Sequence, residues 1–190
     1  MSVSALDPKL CRARQRRLLE ALTDLQQDLT VLIRPEHVQW LTGVRLSPFL
    51  EVAVAIGSNG KVTVVLPQRH LETPAAADEV LGYEAKWHST MRNDQRDACS
   101  RALLNATSAT PQRVACEFSA FHQFLGGAWN EELADIDPLL LYLRRAKDPD
   151  ELAMLRVANQ ANRAMYERAR RIIEPGINEL EVFNELQAVA

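Results

Sequence analysis

Leu50-Glu51-Val52-Ala53-Val54-Ala55-Ile56-Gly57-Ser58-Asn59-Gly60-Lys61-Val62-Thr63-Val64-Val65-Leu66 decides the fold class. Two apolar, β-branched runs, Leu50 to Ile56 and Lys61 to Leu66, flank a Gly-Ser-Asn-Gly turn. That pattern predicts an antiparallel hairpin. Upstream, Thr30-Val31-Leu32-Ile33 is short and nearly all apolar, as a strand buried on both faces must be. Pro35 begins a short helical turn through Val38, Trp40 and Leu41, which Gly43 ends because glycine tolerates positive φ. Before it, Asp7-Pro8 opens a helix with Leu18, Leu22, Leu25 and Leu29 on one side. Downstream, Gln68 to Val80 reads as helix, Tyr83 to Trp87 as strand and Asp94 to Ala106 as helix. Val114 to Glu117 reads as strand, Ala120 to Leu125 as a short helix, and Asp137 to Arg145 as a last extended segment. Helices alternating with short strands, plus one hairpin, predict a three-layer α/β domain, a mixed sheet flanked by helices, over residues 1–147.

Residues 148–190 read as a helical extension. Asp148-Pro149-Asp150-Glu151 is a helix start with a capping residue, a proline in the first turn and a capping-box carboxylate. Leu152, Leu155, Ala158, Ala161, Met165, Ala169 and Ile172 then recur at threes and fours until Pro175-Gly176. A second helix from Asn178 carries Leu180, Val182, Phe183, Leu186 and Val189, with no terminating signal before Ala190. The sequence is therefore expected to stop inside a second structural unit.

Composition excludes several classes. Of 190 residues 47% are hydrophobic and 25% charged, with a net charge of −3, the profile of a soluble globular protein and a poor one for nucleic acid. Arg12, Arg14, Arg16 and Arg17 go around a helix and read as a solvated face. The arginines at 163, 168, 170 and 171 suit the negative end of a helix macrodipole. Cys11, Cys99 and Cys116 cannot all pair and show no metal spacing, so they read as reduced, buried thiols. Residues 1–7 do not resemble a secretory signal, and no apolar run of about 18 residues could span a bilayer. A cytoplasmic protein with no membrane contact is expected.

No chemistry assembles from local spacing. His37, His70, His88 and His122 sit on different elements, none at the spacing that puts two histidines on one metal. Glu131-Glu132 point apart on a helix, and Asp135/Asp137 need a third ligand. Ser47 and Ser119 lack a nucleophile elbow, and the Gly57–Gly60 turn lacks the helix that a phosphate loop requires. Neither catalytic nor metal-ligating residues are expected in this chain.

Three segments together resemble the amino-terminal half of the creatinase/prolidase/aminopeptidase P family of metallopeptidases, whose catalytic part has the pita-bread fold. Val31 to Gly43, ending Trp40-Leu41-Thr42-Gly43, is similar to the family's apolar strand and aromatic-Leu-Thr-Gly turn. Leu143 to Leu152, through Lys147-Asp148-Pro149-Asp150-Glu151, resembles the junction into the catalytic domain. Ile173 to Val182 resembles that domain's Pro-Gly-x-x-Glu turn.

The resemblance implies a creatinase-like N-terminal domain with a ribonuclease-H-like sheet over residues 1–147, and the first helices of an incomplete catalytic domain over 148–190. It implies two divalent metal ions, Mn, Co or Zn, held by two aspartates, a histidine and two glutamates downstream of this chain, so this chain alone should hydrolyse nothing. The partners implied are the protein's own catalytic domain, a second copy in a homodimer, and short proline-containing peptides. Arg45 and Phe49 occupy the loop that roofs the active site in that family. An arginine there can bind a carboxylate by paired hydrogen bonds, and a phenyl ring can close over a proline; the other reading makes Phe49 core and Arg45 solvated. The function implied is a non-catalytic domain of a Xaa-Pro dipeptidase or aminopeptidase-like hydrolase that gates substrate and supports dimerisation. The alternatives are a peptide-binding or scaffold module without catalysis, as in a histone-chaperone complex, and a creatinase-type amidinohydrolase.

Overall fold

The computed structural model describes residues 5–47, 49–86, 93–107, 111–120, 125 and 132–189. The chain divides into a unit of Leu6–Ala146 and a second built on Lys147–Ala190.

In the first unit α1 (Pro8–Ala21) starts at Asp7, whose Oδ1 accepts from the Lys9 N–H at 2.8 Å. It buries Cys11, Arg14, Gln15 and Leu18, one stripe at the helical period. The expected stripe through Leu25 and Leu29 does not form. The helix ends at Ala21, a tight turn over Thr23–Leu25 follows, and Gln26 takes a left-handed conformation at φ 49°. Leu25 is consequently exposed, while Leu29 enters the sheet.

The sheet holds six strands: β1 (Leu29–Leu32), β2 (Ala53–Gly57), β3 (Val62–Pro67), β4 (Glu79–Tyr83), β5 (Arg113–Cys116) and β6 (Glu132–Asp135). Their order is β4-β3-β2-β1-β5-β6. The hairpin pairs Ile56 with Val62, and Gly60 supplies φ 83° in its turn. β1–β2 and β2–β3 are antiparallel; β3–β4, β1–β5 and β5–β6 are parallel. Because strand side chains alternate, Leu32, Val54, Ile56, Val64 and Leu66 form one core with Leu18, Leu41 and Leu140. Those three come from α1, α2 (Pro35–Thr42) and α4 (Asp137–Leu143). Val31, Ala53, Ala55, Val65 and Val114 form the opposite core with Cys99 and Leu103 of α3 (Gln95–Ala106). This is the three-layer mixed-sheet architecture expected.

Three further expectations about elements are corrected. Gln68 to Val80 is not a helix: a turn over Gln68–His70 leads through Pro74 into β4, because long-range partners hold the segment. The Ala76 N–H donates to Thr42 O at 2.9 Å and the Val62 N–H donates to Asp78 Oδ2 at 2.7 Å. The strand placed over Tyr83 to Trp87 lies earlier, over Glu79–Tyr83; Trp87 is outside the described residues. Asp137 to Arg145 is not extended, because Pro138 starts α4 and Leu139, Leu140 and Leu143 turn onto the α1 side of the sheet at helical spacing. The helix expected over Ala120 to Leu125 falls mostly outside the described residues. All three cysteines are buried and none is in a disulfide, and burial pushes the Cys99 thiol up.

Arg12 is not merely solvated. It donates Nη2 to Asp78 Oδ1 at 2.9 Å and Nη1 to Oδ2 at 3.1 Å, joining α1 to the start of β4. The Arg12 guanidinium and then the Val62 N–H hold the Asp78 carboxyl below the usual carboxylate range. Its folded value lies under its unfolded one, so this stabilisation is complete above about pH 4 and is lost as pH falls through the folded value. Asp78→Asn is therefore expected to lower the urea midpoint at pH 7 and to lose less than the parent between pH 4 and pH 2. An equal acid loss in both proteins would contradict it.

In the second unit α5 (Pro149–Ile172) begins with the Asp148/Glu151 capping box, and α6 (Glu179–Gln187) begins at Asn178, whose Oδ1 accepts from the Leu180 N–H at 2.8 Å. Gly176, at φ 95°, makes the turn between them. Arg168 Nε donates to Glu185 Oε2 at 2.9 Å, linking the two helices. Leu152, Leu155, Ile173, Leu180 and Phe183 are exposed.

Candidate functional site

The loop carrying Arg45 and Phe49 grows directly out of α2, so its position depends on what holds that helix. Eight residues are too few for a helix to be stable alone. Both of its ends are clamped by side chains from other elements.

At the N-terminal end the clamp is Glu117, just past β5. Its Oε2 accepts from the Ile33 N–H at 2.6 Å and the Arg34 N–H at 3.0 Å, and its Oε1 accepts from His37 Nδ1. Glu117 and His37 are 1% and 2% exposed. β1 and β5 are parallel neighbours where the chain's direction of travel across the sheet reverses, the crevice in which open α/β sheets generally bind ligands. Here the chain's own carboxyl fills that place. Asp137 secures the neighbouring turn, accepting from the Ser119 N–H at 2.8 Å and from Ser119 Oγ at 2.9 Å.

At the C-terminal end the last carbonyls of α2, which have no helical partner, are each supplied with one. Gln39 O accepts from the Gly43 N–H, and Trp40 O from Arg14 Nη1 at 3.2 Å. Leu41 O accepts from Gln15 Nε2 at 2.8 Å, and Thr42 O from the Ala76 N–H. Arg14 is fully buried, so its place in a solvated face is corrected: it lies against the negative end of the helix dipole. Gly43 then turns the chain at φ 80°.

Beyond Gly43 the loop alternates. Val44 and Leu50 are buried, Leu46 is half-buried, and Arg45 and Ser47 are exposed. Phe49 is 75% exposed, so it is not core. Arg45 lines a depression of about 360 Å³ with Pro35, Glu36, Val44, Leu46 and Val52. Phe49 lines a different one with Glu51, Asp94 and Arg96. Arg96 is fixed there by Glu51, Nε to Oε1, at 3.2 Å.

Ser119 Oγ serves Asp137 and stands 3.5 Å from Arg34 Nη1, while the Glu117 carboxyl is spent on α2. Among the described residues, the group of three acidic side chains close enough for a metal is Asp148, Asp150 and Glu151, at the start of α5. There Glu151 Oε2 accepts from the Asp148 N–H and Asp150 Oδ1 from the Glu151 N–H, so these carboxyls do helix-capping work, not that of a two-metal centre. His88, His122 and Glu131 lie outside the described residues. Sequence reasoning missed Glu117 and Gln15 and misplaced Arg14. A carboxyl directly after the apolar Val114-Ala115-Cys116 was the available signal for the first.

Residues 14–146 match the model of the creatinase/prolidase N-terminal domain family. No curated protein matches the chain in sequence. Among solved structures, the prolidase from Pyrococcus horikoshii OT3 is similar over 93% of this chain and 48% of its own, at 17% identity and a TM-score of 0.70. A Xaa-Pro dipeptidase from Bacillus anthracis is similar over 94% and 48%, at 21% identity and a TM-score of 0.64. The creatinase N-terminal superfamily domain of a dipeptidase from Streptococcus thermophilus is covered over 97% of its length by 68% of this chain, at 14% identity and a TM-score of 0.53. At these identities the likeness is one of fold. The chain spans about half the length of the whole enzymes it resembles.

Proposed function

This chain belongs to the creatinase/prolidase N-terminal domain family, and on that premise we propose that it is the non-catalytic N-terminal domain of a Xaa-Pro dipeptidase or aminopeptidase-like metallohydrolase. It gates access for short proline-containing peptides and supports dimerisation. The observation that carries this reading is Phe49, a three-quarters exposed ring on a loop whose root is clamped from both ends. An aromatic ring held in water by a rigid support suits contact with a partner surface or an apolar substrate more than it suits stability. Two divalent ions, Mn, Co or Zn, held by residues outside this chain, would supply the hydroxide and polarise the scissile carbonyl.

The test is metal-supplemented hydrolysis of Xaa-Pro dipeptides by this chain and by a longer protein that joins it to its catalytic domain. Activity is expected only in the longer protein. In that protein Phe49→Ala is expected to raise KM several-fold, while the unfolding free energy stays within about 0.5 kcal/mol, as for other exposed sites. Activity in the short chain would overturn the non-catalytic assignment, and none in either would favour the binding-module reading. The exposed apolar side chains Leu152, Leu155, Leu180 and Phe183 support the dimer. Sedimentation as a monomer with α5 and α6 folded would count against it.

A further inference from the structure

We propose that the outer edge of β4 is a docking site for an extended, uncharged peptide, which adds to the sheet as a seventh strand with its apolar side chains against α3. β4 pairs on one side only, with β3. The register decides which of its backbone groups stay open. Val62 donates its N–H to Asp78 Oδ2 at 2.7 Å, and its O accepts from the Asp78 N–H at 2.8 Å, so Val62, Val64 and Leu66 face β4. In a parallel pair such a residue bonds to the two residues that flank its partner. Val64 lies opposite Val80 and Leu66 opposite Gly82, so these bonds go to Glu79, Leu81 and Tyr83. Val80 and Gly82 therefore turn their N–H and C=O groups away from β3, where they meet no partner among the described residues.

Sheet edges are normally blunted by charge or proline. The opposite edge follows that rule, since β6 carries Glu132 and Asp135 at its ends. In β4 the one charge is Glu79 at the start, and Val80-Leu81-Gly82-Tyr83 has neither charge nor proline. Beside this edge runs a groove of about 760 Å³, lined by Glu79, Leu81 and Tyr83 of β4 and by Ala98, Arg101 and Ala102 of α3. Alternate side chains of an added strand enter it and meet Leu81 and the two alanines, while the backbone bonds to Val80 and Gly82. The other face of the edge is closed, because Gln68 Oε1 occupies the place that a Cβ on Gly82 would take. The charges at the groove are already matched, Glu79 by Lys61 at 2.8 Å and Arg101 by Asp97 at 2.8 Å, so it asks no charge of its ligand.

A peptide fits better than a second copy of the chain. The Tyr83 hydroxyl donates to Gln95 Oε1 at 3.2 Å, which sets the start of α3 beside the end of β4. Arg101 follows about 9 Å down the helix, level with the middle of the strand. Two copies paired antiparallel about Leu81 would press one Arg101–Asp97 pair against its twin, bulk and charge that an uncharged peptide does not bring.

The experiment is a titration of the ¹⁵N-labelled 190-residue chain with acetyl-Thr-Val-Thr-Val-Thr-amide, followed by amide shifts and hydrogen exchange. In the free chain the Leu81 and Tyr83 amides are expected to be protected and those of Val80 and Gly82 to exchange freely. With peptide, Val80 and Gly82 should gain about tenfold or more in protection, and Ala98 and Ala102 should shift. Only one alternating set of peptide amides can face β4. Methylating the valine nitrogens in one peptide and the threonine nitrogens in another should therefore cost one of them about tenfold in affinity and spare the other. Ala102→Glu, which narrows the groove and whose folding the same spectra report, should weaken binding by a similar factor. No saturable shift up to about 10 mM peptide, or equal binding by the two methylated peptides, would overturn the proposal. So would protection of Val80 and Gly82 that grows with chain concentration in the absence of peptide, which would make a second copy the occupant. None of these readouts depends on hydrolysis, so the outcome is separable from that of the function proposed above.

Discussion

Glu117→Ala is expected to lower the stability of the Leu6–Ala146 unit by about 3–5 kcal/mol, a large part of the roughly 5–15 kcal/mol that a domain possesses. The carboxyl is 1% exposed and makes three bonds, to the Ile33 N–H, the Arg34 N–H and His37. Alanine removes all three and takes this partner from a buried backbone donor at Ile33, a part-buried one at Arg34 and a buried imidazole, the two buried groups at close to their full desolvation cost. Glu117→Gln should be much milder, about 1–2 kcal/mol. Its amide oxygen still accepts from both backbone N–H groups, and its NH2 can face His37 Nδ1 if the ring adopts the other tautomer. Urea unfolding of the three proteins measures the order directly. An alanine variant within 1 kcal/mol of the parent would mean that Glu117 does not hold α2 in place.

The contrast between those bonds and the hairpin explains what could be read from the sequence. The Gly57–Gly60 turn, the Asp94 and Asn178 caps, the capping box at Asp148 and the stop at Gly43 are local chemistry, spelled out within a few residues. They were legible for that reason, as were β1 and the two helices after Asp148. β6 was not legible, because with Glu132 and Asp135 at its ends only Leu133 and Ala134 are apolar, too short a run to mark an edge strand. Leu139-Leu140-Leu141 satisfied a strand pattern as easily as the helix it forms, since a short apolar run cannot choose between them. The Ala75-Ala76-Ala77 tract favoured a helix by propensity, and the contacts of Ala76 with Thr42 and Gln15, remote in sequence, overrode it. The site shows the same division. Arg45 and Phe49 were reached only through the family resemblance, whereas His37 and Glu117 are 80 residues apart and meet only because β1 and β5 pair in parallel. Arg14 sat in a basic run that reads as surface; the carbonyls of α2 that draw it inward are 26 residues away.

Gln15 shows how much of the loop's geometry is decided on α1. It is 3% exposed, and Nε2 spends both protons, on Leu41 O at 2.8 Å and Ala76 O at 2.7 Å. One amide therefore ties α1, the end of α2 and the segment before β4 to a common point, with its α2 partner, Leu41, four residues before Arg45. Gln15→Leu keeps the volume and removes both donors, so two buried carbonyls lose their partners at about 1–3 kcal/mol each. A total loss of about 2–5 kcal/mol is expected. Gln15→Glu goes further, because at neutral pH it aims a carboxylate at the two carbonyl oxygens. Protonation restores one donor, so this variant alone should gain stability relative to Gln15→Leu as pH falls from 7 toward 5. The sign is that of a carboxyl whose folded value is raised: the proton is bound more tightly folded than unfolded, and acid favours the folded state. Thermal unfolding of both variants across that range decides the point. Parallel pH profiles would show that position 15 matters for packing alone, and that the carbonyls of Leu41 and Ala76 find their partners elsewhere.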